Sequence, residues 1–527
     1  FDNIHFDHTG NGINWDESGH GTLVAGLVAF GEDFNREVKS TYTAKAKISV
    51  IKAIHSENDE INIPQLLNDI RTARRDHGIR LFNMSLNIPS IKKYNDSFSA
   101  FAYELDKLSY EEDVLIIMSV GNTDGIELER LLNNDYDPSH DYPTFFYDLT
   151  SSSSHHSCWF TNIQEPAESM NNLSVGALAG NIEGDNNHDI TPASEYPAYY
   201  SRKFHYDFTQ RVNGTLLKRN QTNKNLNKPD LVYEGGDVFN YGSGIEILRS
   251  PQADGEKYFG RSCGTSLATP LITSLAAEIL SIYPSFRMQT IKALLINAAS
   301  SPCGDEPADF SGYGVSLLKM LIGNGKPIRD NLIYTDENSA VFVIEDNIGF
   351  DEVQVMPLFL PEYIGKSGNK LKFTITLAYN FFPLADNHLS YLPLHISFGL
   401  FKPVDSQTIS TSDAKDYRIK STISWSEDFH GVENRLFSNC QRRSFNLQPH
   451  DIVGLNNAVS ITVRCTGKKE IAENHSNHLQ NSMHPFSLVV RVSEIPDAKA
   501  SGQLYSEMLA INQVENIGEA EGFGEIS

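Results

Sequence analysis

The chain has 527 residues, 40% of them hydrophobic and 21% charged, a composition typical of a folded protein with two or three domains. Its 67 acidic residues outnumber the 43 Lys and Arg residues and give a formal net charge of -24. This acidity argues against nucleic-acid binding, which needs basic surface. Membrane helices need about eighteen consecutive apolar residues, and because the sequence has no such run, we predict no membrane association.

The cysteines are odd in number and scattered, without the short spacing of a metal site; they are Cys158, Cys263, Cys303, Cys440 and Cys465. This usage favours a reducing compartment, and we expect a cytoplasmic location. Cys263 lies three residues before a serine of interest, Ser266. It can be read as a redox-sensitive residue beside a functional site or as a small buried residue, and the second interpretation is favoured.

The first chemical motif is Gly19-His20-Gly21-Thr22, which opens a segment of small and apolar residues and predicts a helix. The two glycines hold the imidazole of His20 at a tight turn with its ring exposed, a setting that suits a general base. Three aspartates precede this histidine, Asp2, Asp7 and Asp16. None of them follows an apolar, strand-like run.

Strand-like and helix-like patterns then alternate. Strands are predicted at 46–54, 80–86 and 114–119, and helices at 64–77 and 97–109. This alternation implies a parallel sheet with helices on both faces, in which functional residues gather at the carboxyl ends of the strands. Asn122 follows the last of these strands, and its amide is suited to donating a hydrogen bond to an oxyanion.

A long polar insertion, residues 131–160, comes next and contains His155, His156 and Cys158. These three could ligate a metal and make the protein a metal-dependent hydrolase. However, adjacent histidines on an extended chain point in different directions, and no fourth ligand is evident nearby. A mobile loop over the cleft is the favoured interpretation.

Ser266 lies in Gly264-Thr265-Ser266-Leu267-Ala268-Thr269-Pro270, directly before an apolar run that extends to Tyr283. The run has helical spacing, and Pro270 is expected in the first turn of that helix. Ser266 therefore sits at a helix N-terminus. The free N–H groups and the helix dipole there favour the negative charge that a serine nucleophile generates.

The order His20, Asn122, Ser266, with these flanking residues, resembles the subtilisin-like serine proteases, the subtilases, whose HGT and GTSMA-P motifs carry the histidine and the nucleophile. Leu267 stands where methionine is usual. The resemblance implies a subtilisin-like parallel sheet, Ser266 as nucleophile, His20 as base and Asn122 as oxyanion donor. From the residues themselves we expect no cofactor and no metal. Calcium sites are frequent in the wider family, but no loop here has dense, regularly spaced oxygen ligands.

Other segments extend the resemblance. Ser85, Leu86 and Asn87 match the strand end that pairs with a peptide substrate, although glycine is usual at the position of Asn87, where a side chain could narrow the neighbouring pocket. Four more stretches match the family, at 166–168, 173–177, 228–232 and 312–314. Together they imply a peptidase domain over residues 1–326.

The family also uses an aspartate on the first strand of the sheet, typically some thirty residues before the histidine, to orient the imidazole. Asp16 matches a residue that often precedes HGT without being catalytic. The resemblance therefore implies that the first strand is missing and that the orienting aspartate lies outside this sequence. We expect a separate N-terminal fragment to supply it.

From residue 331 onwards the periodicity changes to short runs with two-residue alternation, separated by Pro, Gly, Asn and Asp. The predicted strands cover 340–344, 371–379, 392–401, 458–464 and 486–492. This pattern predicts an antiparallel β-sandwich domain over residues 331–514. The acidic, glycine-rich residues 515–527 are predicted to be a flexible tail.

The expected activity is that of a serine endopeptidase acting on proteins or peptides through an acyl-enzyme. The alternative is an inactive, subtilase-shaped scaffold that binds peptides or a partner protein. Within the family the sequence is most similar to an intracellular bacterial group with a C-terminal β domain, whose members are often encoded beside an AAA-type ATPase. That resemblance implies a possible ATPase partner.

Overall fold

The computed structural model of the protein divides into two compact units. The first comprises residues 1–288, 299–327 and 386–388, and the second comprises 289–298, 328–385 and 389–527. The structure describes residues 5–7, 16, 18–32, 42–54, 60–93, 96–124, 142–148, 156–157, 159–180, 190–204, 211–212, 215–216, 226–238, 243–250, 258–305, 307–310, 317–333, 336–367, 369–384, 391–411, 417, 438–448, 451, 457–467, 479–495 and 501–514.

The strands of the first unit are β1 (His5–Asp7), β2 (Val50–Lys52), β3 (Leu81–Met84), β4 (Ile88–Ile91), β5 (Leu115–Ser119), β6 (Tyr147–Asp148), β7 (His156–Ser157), β8 (Gln164–Glu165), β9 (Leu173–Leu178), β10 (Arg211–Val212), β11 (Thr215–Leu216), β12 (Leu231–Glu234), β13 (Ile245–Leu248), β14 (Phe259–Ser262), β15 (Ala299–Ser300) and β16 (Lys326–Pro327). Those of the second unit are β17 (Ser339–Ile348), β18 (Val353–Phe359), β19 (Leu371–Tyr379), β20 (Leu394–Phe401), β21 (Cys440–Leu447), β22 (Ala458–Gly467) and β23 (His484–Glu494).

The helices are α1 (His20–Phe30), α2 (Ile63–His77), α3 (Ala100–Glu112), α4 (Thr265–Ile282), α5 (Met288–Asn297), α6 (Leu317–Ile322), α7 (Arg329–Ile333), α8 (Glu362–Ser367), α9 (Ser406–Thr411) and α10 (Leu504–Val514). By length and composition alone, α4 could cross a membrane, but 67% of it is buried inside the fold. That burial is typical of a core helix in a folded domain.

The first unit is built on a four-stranded parallel sheet with the order β12-β9-β5-β3. Every residue of β5 and β9 is buried, because both strands are continuous apolar or small-residue runs with layers on both sides. Ile116 and Met118 share a core with α2 and α3, while α4 packs along all four strands. This arrangement confirms the predicted α/β fold class, with antiparallel sheets following in the C-terminal region.

A short parallel pair, β1 with β2, precedes this sheet in the chain, with Asp7 opposite Lys52 in the register. The sequence pattern had given no strand before His20, because three residues cannot show an alternation of apolar and polar positions. Asp7 therefore does end a strand. The β3 strand, in contrast, lies at one edge of the four-stranded sheet in the part of the chain that the structure describes.

The long insertion is only partly the mobile loop that was predicted. Tyr142, Phe145 and Phe146 are buried and pack with Phe310 and the apolar residues of α6. The prediction of a mobile loop was wrong for these three residues, because their aromatic side chains are buried in a core. The many polar residues of the insertion had favoured an exposed loop. His155 and Cys158 lie outside the described residues.

The second unit contains two antiparallel sheets, with the orders β17-β23-β19-β21 and β18-β22-β20. The five predicted strands overlap β17, β19, β20, β22 and β23. The two strands that the sequence pattern did not reveal, β18 and β21, are edge strands. Pro357 lies within β18, and Arg442 and Arg443 lie within β21, so neither strand has the apolar alternation of a central strand.

Helix α5 groups with the second unit, although the sequence assigned it to the peptidase domain. The Asn297 side chain donates hydrogen bonds to the Thr374 carbonyl (3.0 Å) and the Thr376 hydroxyl (3.1 Å) of β19. Within the same unit, the Asn512 amide of α10 pairs with the backbone N–H (2.9 Å) and carbonyl (3.0 Å) of Phe359. This pairing covers the end of an edge strand, as proteins commonly do. Residues 515–527, the predicted tail, lie outside the described residues.

Candidate active site

Helix α1 begins at His20, which is exposed, and Gly19 before it has a positive φ of 79°. The Asp16 carboxylate caps this helix: one oxygen accepts a hydrogen bond from the Gly19 N–H (3.0 Å) and the other from the Thr22 N–H (2.6 Å). Both oxygens therefore satisfy backbone donors that a helix N-terminus leaves free. This geometry agrees with a structural rather than a catalytic carboxylate.

Helix α4 begins at Thr265, so Ser266 is its second residue, half-buried. The prediction that Pro270 lies in the first turn was wrong, because Pro270 is inside the helix. A proline has no N–H for the carbonyl four residues earlier, which here is that of Ser266. That carbonyl instead accepts a hydrogen bond from the Ser85 hydroxyl (3.0 Å), which allows the helix to accommodate the proline.

The first backbone N–H groups of α4 have different partners. The Thr265 N–H donates to the Asn122 Oδ1 (2.9 Å), and the Leu267 N–H donates to the Gly264 carbonyl (3.0 Å). Within the described residues the Ser266 N–H has no acceptor. It is thus available at the positive end of the helix dipole.

Asn122 follows β5 and is held by Thr265, whose N–H and hydroxyl both donate to Oδ1 at 2.9 Å. Two donors on one atom identify it as the amide oxygen and leave Nδ2 as a donor. A side-chain carbon at Gly264 would lie 3.4 Å from this Nδ2 and 3.2 Å from the Ser266 hydroxyl oxygen. The structure therefore brings Asn122 and Ser266 to the same glycine.

The three residues predicted to bind substrate lie after β3 and are half-buried. Ser85 contacts the Ser266 carbonyl, as described above, and Leu86 packs against the core formed by α2 and α3. The Asn87 amide exchanges hydrogen bonds with Ser119 on β5, to its carbonyl (2.8 Å) and from its hydroxyl (2.6 Å). The Asn87 side chain is thus directed to the neighbouring strand, and the role of all three in substrate binding stays a prediction.

The two helices that carry the predicted base and nucleophile pack against each other. A side-chain carbon at Gly31, at the end of α1, would lie 2.8 Å from the Ser274 hydroxyl oxygen of α4. The close approach of the two helices depends on this glycine, whose φ of 61° also favours glycine. The pairing of the His20 imidazole with the Ser266 hydroxyl stays a prediction.

Sequence reasoning missed residues 200–202, which contact the backbone on both sides of this site. Their pattern, Tyr-Tyr-Ser-Arg-Lys at 199–203, has neither strand nor helix periodicity, and only the full burial of Arg202 and Lys203 sets it apart. No sequence signal marks such residues, because charged side chains are usually exposed.

The predicted alternative of a metal-dependent hydrolase rests on residues that the structure does not describe, apart from the backbone of His156. Among the described residues, no group of three His, Cys, Asp or Glu side chains could hold a metal ion. The described site is built from a hydroxyl, an amide and backbone N–H groups.

Comparison with known proteins shows which sequence family and which solved structures the chain is similar to. Residues 1–325 match the sequence profile of the subtilase family. The uncharacterized protein y4bN of Sinorhizobium fredii is 24% identical over 399 residues, which cover 72% of this chain and 82% of that protein. Among solved structures, the psychrophilic protease S41 aligns with a TM-score of 0.34 and 19% identity over 54% of this chain and 70% of its own. A serine-to-alanine mutant of the protease domain of PatA aligns with a TM-score of 0.33 and 15% identity over 60% and 79%, respectively.

Proposed function

Because this chain belongs to the subtilase family, we propose that it is a serine endopeptidase in which Ser266 is the nucleophile and His20 the general base. Family membership supports the reaction class, serine peptide hydrolysis. The single observation that carries the residue assignment is the convergence of the Ser266 hydroxyl and the Asn122 Nδ2 on Gly264. A nucleophile and an oxyanion donor must lie this close to act on one carbonyl group.

In the proposed reaction the Ser266 hydroxyl oxygen attacks the carbonyl carbon of the scissile peptide bond while His20 takes the hydroxyl proton. The negative charge on the carbonyl oxygen is stabilised by the Asn122 Nδ2 and the Ser266 N–H at the start of α4. When the tetrahedral intermediate collapses, His20 returns the proton to the leaving amine. A water molecule, activated by the same imidazole, then hydrolyses the acyl-enzyme and regenerates Ser266.

The experiment that tests this proposal is hydrolysis of a peptide substrate by Ser266→Ala. Removing a serine nucleophile costs about a millionfold in turnover. The matched control is Ser262→Ala, a substitution on β14 that removes a hydroxyl four residues away. Cleavage that persists in Ser266→Ala would show that another residue is the nucleophile. Peptide binding without hydrolysis by the wild-type protein would instead favour the alternative, an inactive scaffold.

The carboxylate that orients His20 is the second part of the proposal. We propose that it comes from an extended segment outside residues 1–527, in the predicted N-terminal fragment. Two observations support this. The Asp16 oxygens are both engaged by backbone N–H groups, and among the strands that the structure describes β3 lies at one edge of the four-stranded sheet, where an extended segment can be added. Without such a carboxylate the imidazole loses tautomer control, at a cost of about ten-thousandfold in rate.

Asp7→Asn tests this second part, because Asp7 ends β1 and is the remaining described aspartate before His20. We expect the variant to retain the wild-type kcat/KM, measured on protein purified from its full-length precursor. Mass spectrometry of the same preparation should detect a co-purifying N-terminal fragment. A loss of about ten-thousandfold in Asp7→Asn would instead identify Asp7 as the orienting residue.

A further inference from the structure

Residues 200–202 are bonded to the strand end that carries Asn122. The Tyr200 carbonyl accepts a hydrogen bond from the Thr123 N–H (2.8 Å), and Ser201 forms an isolated β-bridge with Asn122. The Arg202 guanidinium is buried and donates to the Asn122 carbonyl (2.9 Å). The backbone around the proposed oxyanion donor is therefore held to this segment by the β-bridge, of which the Thr123 bond is a part, and by the Arg202 side chain.

The side chain of Tyr200 reaches the other half of the site. Its hydroxyl oxygen accepts a hydrogen bond from the Gly264 N–H (2.9 Å), two residues before Ser266. The same hydroxyl donates to the Gly236 carbonyl (2.7 Å). The Gly264 N–H also donates to the Gly235 carbonyl (2.9 Å), so the start of α4 is held to this glycine pair directly and through Tyr200.

The contact is tightly packed. A side-chain carbon at Gly235 would lie 2.9 Å from the Tyr200 hydroxyl oxygen and 2.9 Å from the Gly264 carbonyl oxygen. Tyr200 itself is only 4% exposed, and burial raises the pKa of its hydroxyl well above the ordinary value. The hydroxyl is thus neutral at physiological pH, as its simultaneous donor and acceptor roles require.

We propose that Tyr200 is a positioning residue for the peptidase reaction, because it joins the turn before Ser266 to the strand end that carries Asn122. Its hydroxyl fixes the nucleophile turn, and its carbonyl fixes the residue after the oxyanion donor. The inference rests on the proposed function, since it concerns the separation of the two groups that act on the substrate carbonyl. Displacement of a reacting group by about 1 Å can cost about a hundredfold in rate.

The test compares Tyr200→Phe with Tyr142→Phe in the complete chain. Both variants lose one buried hydroxyl that donates to a backbone carbonyl, that of Gly236 for Tyr200 and that of Pro197 (2.7 Å) for Tyr142. Their losses of stability should therefore be similar, but only Tyr200 contacts the nucleophile turn. The readouts are the rate constant for labelling by a fluorophosphonate and the final fraction of labelled protein.

We expect Tyr200→Phe to be labelled at least about tenfold more slowly than the wild type but to the same final fraction, and Tyr142→Phe to be labelled at the wild-type rate. The kcat for peptide hydrolysis should fall by the same factor, with KM little changed. A merely structural role would give fewer labelled molecules at an unchanged rate. That result, or equal slowing in both variants, would overturn the proposal.

Hydrogen exchange of the Gly264 amide separates this proposal from the proposed function. Tyr200→Phe should exchange this amide faster than the wild type and Tyr142→Phe should not, whether or not the protein has activity. Failure of wild-type labelling at Ser266 together with the expected exchange would refute the peptidase function and hence the positioning role of Tyr200 in that reaction. An unchanged exchange rate of the Gly264 amide in Tyr200→Phe would show that the Tyr200 hydroxyl does not restrain the turn before Ser266. If Tyr200→Phe does not fold, p-aminophenylalanine at position 200, which keeps a hydrogen-bonding group on the ring, takes its place. This variant should be labelled at close to the wild-type rate, and slow labelling of the folded variant would overturn the proposal.

Discussion

The two halves of the proposed site are supported very differently by the chain. The nucleophile half contains Ser266 and Asn122. The N–H and hydroxyl of Thr265 donate to the Asn122 Oδ1, and the Gly264 N–H, two residues before Ser266, donates to the buried Tyr200 hydroxyl. The base half contains His20, an exposed residue at the start of a helix whose N-terminus is capped by Asp16. Within the described residues, the nucleophile half is therefore defined by its hydrogen bonds, and the base half by the position of His20 at the start of α1.

The difference follows from the positions of the strands. The nucleophile half lies beside β5 and β9, both buried along their whole length, where a polar contact is worth more than in water. The β1–β2 pair that precedes and follows α1 has three residues in each strand. We therefore expect the proposed activity to be sensitive to substitutions around the nucleophile half.

The largest effect is expected for the base. His20→Ala should lower kcat about as much as Ser266→Ala, about a millionfold, because a nucleophile and its base act as a unit. Steady-state hydrolysis of a peptide measures this, with His77→Ala, an exposed residue at the end of α2, as the control. If the kcat of His20→Ala is less than about a hundredfold below that of the wild type, a residue other than His20 is the general base.

The next effect concerns the oxyanion. Asn122→Ala should lower kcat about a hundred- to a thousandfold with little change in KM, because the amide acts on charge that develops only in the transition state. The kcat and KM values of the purified variant check this. A rise in KM with unchanged kcat would mean that Asn122 contributes to substrate binding. The proposal that its amide stabilises the oxyanion would then be wrong.

A smaller effect is expected from loosening Asn122 without removing it. Thr265→Val deletes the hydroxyl that donates to the Asn122 Oδ1, and we expect kcat to fall by about tenfold as the amide loses one of its two restraints. Thr269→Val is the matched control, because it deletes a hydroxyl of the same helix that donates only along the helix, to the Thr265 carbonyl (2.7 Å). Equal kinetics in the two variants would contradict preorganisation by Thr265.

The smallest effect on catalysis is expected at the helix cap. Asp16→Ala removes the acceptor for two backbone N–H groups and should lower the free energy of unfolding by about 1 kcal/mol, measured by urea denaturation. The kcat should change by less than about tenfold. A ten-thousandfold loss of kcat at unchanged stability would make Asp16 the orienting carboxylate and would remove the need for a segment outside the chain.

The parts of this picture that were predictable from sequence are those with a local pattern. The apolar run at 114–119 correctly predicted β5. The glycine before an apolar, helix-spaced run correctly predicted that Ser266 lies at the start of α4. The contact between Tyr200 and Gly264 joins residues 64 positions apart, and that between Arg202 and Asn122 joins residues 80 apart. Such contacts depend on tertiary packing, which periodicity does not encode.

Some local patterns also misled. Pro270 was expected in the first turn because proline usually breaks a helix interior, and the Ser85 hydroxyl that satisfies the freed carbonyl lies 181 residues away in sequence. Edge strands β18 and β21 have too little apolar alternation to be recognised. In each case a partner distant in sequence decides the structure.

The most direct measurement is the identity of the residue that a fluorophosphonate modifies in the wild-type protein. After complete labelling and proteolysis, mass spectrometry should find the adduct on Ser266, one per chain, and prior incubation with a peptide substrate should slow its formation. An adduct on another serine, or no adduct on protein that hydrolyses peptides, would contradict the assignment of Ser266 as the nucleophile.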